Sequence, residues 1–168
     1  MVIKSIIFTI FIALAFTAEA QNYQTGKSAY ERGDFQTAFE HFKPLAERGH
    51  IEAQSNLGFM YSKGYGVRQD YAISLIWLTK AAIQNDTHAQ HNLGIMHGNG
   101  FGVPQDHFLA YIWFSIASEN GHELSLIKRD LAATRLNPEE IKLANRISRK
   151  CQLEPSFCIK YAMPGKDI

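Results

Sequence analysis

The sequence is poor in cysteine, carries no excess of either charge, and has no apolar run that reaches the ~18–20 residues needed to span a bilayer. Its 17 Lys and Arg face 16 Asp and Glu, a formal charge of +1. That balance removes any global drive towards nucleic acid or an anionic membrane. Two cysteines at a spacing other than Cys-x-x-Cys argue against a catalytic redox pair. No nucleophile elbow surrounds a serine. Gly64-Tyr65-Gly66 lacks the Gly-Lys-Ser/Thr ending of a phosphate loop and follows a helical pattern rather than a strand.

What is present is ordinary for a folded chain of 168 residues, with 46% hydrophobic and 20% charged residues. The first twenty residues read as a leader. Lys4 supplies a positive start, Ile6 to Phe16 is an apolar core, and Ala18-Glu19-Ala20 is a small-x-small cleavage site. An exported chain beginning at Gln21 is expected, in the periplasm or secreted, with no membrane insertion after cleavage. Export places Cys151 and Cys158 in an oxidising compartment. A helix through both would hold their Cα atoms ~10 Å apart, beyond the ~7 Å limit for a bridge. Pro155 disfavours that helix, so the chain can turn back and close a disulfide within 151–168.

The chain repeats itself. Ala53-Gln54-Ser55-Asn56-Leu57-Gly58-Phe59-Met60 returns as Ala89-Gln90-His91-Asn92-Leu93-Gly94-Ile95-Met96. Gly64-Tyr65-Gly66-Val67 returns as Gly100-Phe101-Gly102-Val103, Asp70 as Asp106, and Ile76-Trp77 as Ile112-Trp113. The offset is 36 throughout (58 to 94, 70 to 106, 77 to 113), inside the roughly 20–50-residue range of stacked repeats. One such unit cannot bury its apolar face alone and must stack on neighbours.

Each unit reads as helix, turn, helix. Ala53, Leu57, Met60 and Tyr61 form one helical stripe. Gly58 and Gly94 interrupt that helix, which predicts a close helix–helix approach there. Gly64 and Gly100 are left-handed C-terminal caps, and Asp70 and Asp106 sit at N-cap positions. Ala72, Leu75, Ile76, Leu78, Ala81 and Ala82 form the packing surface of the second helix, with Trp77 and Trp113 as its largest core side chains. Asn137, Pro138 and Glu140 give a strong helix start near the end of the chain.

The run Leu57-Gly58-x-Met60-Tyr61-x-x-Gly64-x-Gly66-Val67-x-x-Asp70, followed by Trp77-x-x-Lys80-Ala81-Ala82, resembles the SEL-one-like repeat, a relative of the tetratricopeptide repeat. It occurs twice, over 51–86 and 87–122. The second copy has His97, Ile116 and Ser118 where the pattern has Tyr, Lys and Ala. Residues 21–50, with Gly33-Asp34 as the turn, look like an ordinary tetratricopeptide repeat, and 123–150 resemble a closing helix pair. The resemblance implies an all-α, right-handed solenoid of antiparallel helix pairs with a C-terminal cap.

Solenoids of this type line their concave face with exposed positions of each first helix. By repeat phase the resemblance nominates Tyr23, Lys27, Tyr30 and Glu31, then Glu52, Ser55, Phe59, Ser62 and Lys63, then His88, His91, Ile95 and Asn99. Aromatic and apolar members on a face that should be wet point to a peptide or protein partner. His88 and His91 are one helical turn apart, yet no Cys lies nearby and Asp86 is the one close carboxylate. They are read as open-face residues, with His97 in a packing position, and neither a metal nor another cofactor is expected. The basic group Arg146, Arg149 and Lys150 is read as a solvated helix end, with an anionic docking patch as the other reading.

The expectation is a monomeric, non-catalytic adaptor that holds a protein or peptide, with no role for nucleic acid. The alternative is a β-lactam-binding or hydrolysing enzyme, an activity attributed to cysteine-rich members of the family. Those carry a cysteine pair in each repeat, which this chain lacks. No Ser-x-x-Lys followed by the partner motifs of that chemistry is present.

Overall fold

The computed structural model describes residues 19–163. Residues 1–18 of the leader assignment and the last five of the tail assignment lie outside the described residues. All regular structure among the described residues is helical. The helices are α1 (described over 19–31), α2 (Phe35–Glu47), α3 (Ile51–Lys63), α4 (Tyr71–Ala82) and α5 (Thr87–Asn99), then α6 (His107–Glu119), α7 (Glu123–Ala133), α8 (Pro138–Leu153) and α9 (Ile159–Ala162). A 3-10 turn, Pro155–Cys158, precedes α9. Glu19 and Ala20 continue α1, and Glu19 pairs with Arg48 at 3.3 Å. Such an exposed pair contributes little.

Local chemistry sets the boundaries. The carboxylates of Asp34, Asp70, Asp86 and Asp106 each accept from the backbone N–H three residues on, at 2.7–3.2 Å, satisfying donors that a helix start leaves free. α3 and α5 end on Gly64 (φ 73°) and Gly100 (φ 75°), a left-handed geometry that costs a side chain dearly. At α8 the full capping box is formed between Asn137 and Glu140.

α3 packs on α4 and α5 on α6, while α2, α4 and α6 each contact the helix that opens the next unit. Close approach depends on missing side chains. A Cβ on Gly58 would stand 2.7 Å from Leu78 Cγ, and one on Gly94 would stand 2.6 Å from the Phe114 ring. Gly26 meets His41 and Phe42 at 2.9 Å in the same way. Two polar links tie successive units: Gln54 Nε2 donates to the Ala46 carbonyl at 3.1 Å, and Gln90 Nε2 to the Ala82 carbonyl at 3.0 Å. Both glutamines are buried, and each also accepts, Gln54 from Gln84 and Gln90 from Asn120.

The second helix of the first 36-residue unit packs differently from the sequence expectation. Ser74, Leu75, Leu78, Thr79, Ala81 and Ala82 are buried, whereas Ala72 and Ile76 face outward. Trp113 is buried, but Trp77 is only partly so and carries Lys80 Nζ 4.3 Å from its ring centroid. The difference between the two tryptophans lies in the tail. α7 and α8 each pack on α6 more than on one another. Beyond Leu153 the chain turns at Pro155, the Cys151–Cys158 disulfide closes with Cα atoms 5.3 Å apart, and α9 lies on α4. Trp113 Nε1 donates to the Tyr161 carbonyl at 3.1 Å, so the returning tail covers Trp113, while among the described residues Trp77 has no such cover. His97 is also fully buried, beside the backbone of Tyr161 and Ala162. Its counterpart Tyr61 stays partly exposed and meets Phe39 edge-on.

Two outcomes follow from this packing. Gly58→Ala and Gly94→Ala should each lower stability by ~1–3 kcal/mol, the usual cost of overpacking, while Gly98→Ala, whose new methyl would lie 3.4 Å from Ala110, should not. Chemical denaturation of the three variants checks this, and equal midpoints would refute it. Cys151→Ser should remove roughly 2–2.5 kcal/mol by loop entropy and shift tryptophan emission as the tail frees Trp113. Unchanged emission in the variant would show that the tail needs no staple.

Candidate functional site

The face made by α1, α3, α5 and α7 holds three depressions in a row. The first, of ≈ 410 Å³, lies between α1, α3 and the start of α5, and gathers Tyr23, Lys27, Tyr30, Glu52, Ser55 and His88. The second, of ≈ 190 Å³, holds Phe59, Ser62, Lys63 and Ile95. The third, of ≈ 330 Å³, holds Ile95 and Asn99 and is closed on its far side by α7. Every nominated inner-face residue except His91 therefore lines one of these hollows.

Individual side chains are held in defined ways. The Tyr23 ring stacks on His50 with centroids 4.7 Å apart, and its hydroxyl accepts from Asn56 at 3.2 Å. Burial pushes its phenol above the ordinary value. Tyr30, Phe35 and Tyr65 form an aromatic group, with Phe35 and Tyr65 stacked at 4.2 Å, and burial raises the Tyr30 phenol as well. Phe59 meets Tyr65 edge-on at 6.2 Å and takes Lys63 Nζ over its ring at 5.5 Å. Ser62 donates to the Phe59 carbonyl, and Asn99 to the Ile95 carbonyl.

Two nominations are corrected. Ser55 is buried rather than open, because α5 covers it and its hydroxyl donates to Asp86 at 2.8 Å. His91 is sunk into the α5–α7 joint. Its Nδ1 lies 2.8 Å from Ser125 Oγ, its ring stacks on His122 at 4.2 Å, and His122 Nδ1 lies 3.0 Å from the same hydroxyl. The Ser125 hydroxyl thus bridges the two imidazoles. His88 completes the cluster edge-on to His122 at 5.3 Å, whereas His97 lies apart beneath the tail. Among the described residues no group of three or more His, Cys, Asp or Glu side chains is arranged to hold a metal. Ser125 and Lys128 have Ser-x-x-Lys spacing, but the Ser125 side chain is fully buried between the two rings, out of reach of a substrate.

The sequence reading missed a fourth row. Leu124, Ile127 and Leu131 on α7 stand 36 residues after His88, His91 and Ile95, and they are 63%, 66% and 60% exposed. Extending the offset once more would have found them. Gln54 and Gln90, which tie successive units, recur in the quoted octapeptides but end there, since the next position is Leu126.

The histidine cluster makes stability depend on pH. Burial, then the charges of His122, Lys128 and His88, push His91 down to about 4. Burial and His88 also lower His122, while Asp86 acts in the opposite sense. An unfolded histidine titrates near ~6.5, so below that pH the unfolded chain takes up a proton that folded His91 refuses. The stability present above ~6.5 is therefore lost as pH falls towards about 4. Urea melts across this window should show the loss, and His91→Gln should flatten it. An identical pH slope in the variant would refute the assignment.

The Sel1 repeat family profile matches residues 12–50, 51–86 and 87–122. The first match begins inside the segment read as a leader and includes the Gly33-Asp34 turn. A crystal structure of c5321, a protective antigen present in uropathogenic Escherichia coli strains and displaying an SLR fold, superposes with a TM-score of 0.77 at 25% identity, over 89% of this chain and 34% of that one. A Sel1 repeat protein from Oxalobacter formigenes gives a TM-score of 0.60 at 30% identity, over 64% of this chain and 44% of that one. The chain thus spans less than half the length of either structure. No curated protein matches it. Sel1 repeats are generally protein–protein interaction modules. Three consecutive profile matches on a stack of helix pairs show that the chain belongs to the Sel1 repeat family.

Proposed function

We propose that the chain is a non-catalytic adaptor, exported to the periplasm or beyond, that holds a partner protein by an extended segment laid along its inner face. The observation that carries this reading is the continuity of that face. Tyr23, Tyr30, Phe59 and Ile95 lead into the exposed Leu131, Ile127 and Leu124, past three open hollows. Monomeric soluble proteins rarely leave a large contiguous apolar strip open without a partner for it. The disulfide fits an oxidising compartment, as does the leader pattern of residues 1–20. Among the solved relatives, the Escherichia coli protein is described as a protective antigen. Recognition there would imply a surface or envelope setting for this chain also.

The reading gives the nominated residues distinct tasks. Tyr23, Tyr30 and Phe59 are rigid aromatic anchors whose positions are fixed by the rings packed on them. Lys27, Glu52, Ser62, His88 and Asn99 stand at the margins and set orientation through charge and hydrogen bonds. Hot spots in interfaces concentrate on such anchored aromatics.

Affinity capture from the native envelope, followed by titration calorimetry with the captured partner, tests this. Phe59→Ala should weaken binding by at least ~1 kcal/mol with little change in thermal stability. The captured chain should begin at Gln21 by mass spectrometry. Undiminished affinity in both Phe59→Ala and Tyr30→Ala would place the interface elsewhere, and an intact N-terminus would refute export.

A further inference from the structure

The second and third hollows are the same hollow, built twice. The second is floored by Leu78 and walled by Phe59 and Ile95. The third is floored by Phe114 and walled by Ile95 and Leu131. Each member of the third stands 36 residues after its counterpart in the second, and Ile95 is the partition they share. The rim repeats as well. Gln69 Nε2 donates to the Ser62 carbonyl at 2.8 Å, and Gln105 Nε2 donates to the Gly98 carbonyl at 2.8 Å. At ≈ 190 and ≈ 330 Å³, both exceed the ~150 Å³ that takes a benzene ring.

Charge separates this pair from the first hollow. The charged side chains lining the twin hollows are Lys63, Lys128 and Arg135, without a carboxylate. The first hollow carries Glu31, Glu52 and Asp86 against Lys27. The inner face is therefore polarised, acidic near α1 and basic near α7.

Spacing then selects the occupant. Each twin hollow lies between two successive inner-face helices, α3 and α5 and then α5 and α7, with Ile95 of α5 as the shared wall, so one helix spacing, ~8–10 Å, is the step expected between them. A β-strand returns to the same side every two residues, at ~6.6 Å or ~13 Å, and matches neither. A polyproline-II segment returns every three residues, at ~9.3 Å. We propose that the twin hollows receive two apolar side chains three residues apart on a polyproline-II segment of the partner, with acidic residues between and beside them facing Lys63, Lys128 and Arg135. This rests on the inner-face reading above and gives it a register, a backbone conformation and a charge.

The folded, full chain is tested by fluorescence anisotropy with labelled peptides. The probe is Glu-Leu-Pro-Glu-Leu-Pro-Glu. The controls move the second Leu one position closer or further, or replace every Glu by Lys. The probe should bind, and each control should bind roughly tenfold or more weakly, as should Ile95→Ala protein with the original probe. Lys128→Glu, an exposed change, should narrow or reverse the preference for acidic over basic peptide. Circular dichroism confirms that both variants remain helical, and Lys128→Glu keeps the test decisive if Ile95→Ala does not fold. Equal affinity across the peptides, or no binding of the probe, overturns the proposal. Panning a random peptide library on the same protein separates the two levels. Enriched peptides that lose affinity for Phe59→Ala but lack the three-residue acidic–apolar pattern would overturn the register and leave the inner-face reading standing. A library yielding no peptide sensitive to Phe59→Ala or Tyr30→Ala counts against both.

Discussion

The contact on which the rest depends is the one between a glycine on each opening helix and a large side chain on the helix that follows it. Leu78 lies against Gly58 and Phe114 against Gly94, closer than any Cβ would permit. These two side chains have a second task, because their other edges floor the hollows on the inner face. Core and candidate site are therefore parts of one object. A change that moves α3 away from α4 to relieve a clash at Gly58 also alters the depth of the hollow above Leu78.

Much of this was legible because the repeat offset carries geometry with it. Once Gly58 and Gly94, Asp70 and Asp106, or Gly64 and Gly100 are matched, helix starts, stops and crossings follow from backbone chemistry alone. The polar links were legible too, since Gln54 and Gln90 recur, but a glutamine within a helical pattern signals nothing until its partner carbonyl is known. Ser55 shows the limit of phase. The same position holds Ser55, His91 and Ile127, and its exposure depends on what the following unit places over it. Burial grades from Ser55, covered by α5, through His91, to Ile127, which no helix covers among the described residues. Periodicity specifies direction, but neighbours decide coverage.

The tail was legible only in part. Pro155 and the two cysteines specify a closed turn, yet nothing local says that α9 then lies on α4. That contact is long-range and pairs a backbone carbonyl with Trp113, and carbonyls leave no mark in sequence. Trp77 and Trp113, alike in the repeat, part company because of it. His97 follows the same logic. A tyrosine there, as at Tyr61, would fill space that the tail occupies.

The returning tail also changes how the stack comes apart. A simple solenoid couples each unit only to its neighbours, so it melts inward from either end as a one-dimensional chain does. Here the covalent loop and α9 join the end of α8 to α6 and back to α4, skipping over the intervening connections. The second helices of three units are thereby tied together. α1 and α2 remain outside it and share a separate core cluster with α3, so fraying should start at that end. The aromatic end of the inner face, with Tyr23 and Tyr30, thus sits where opening should begin, while the twin hollows adjoin the part that the tail ties together.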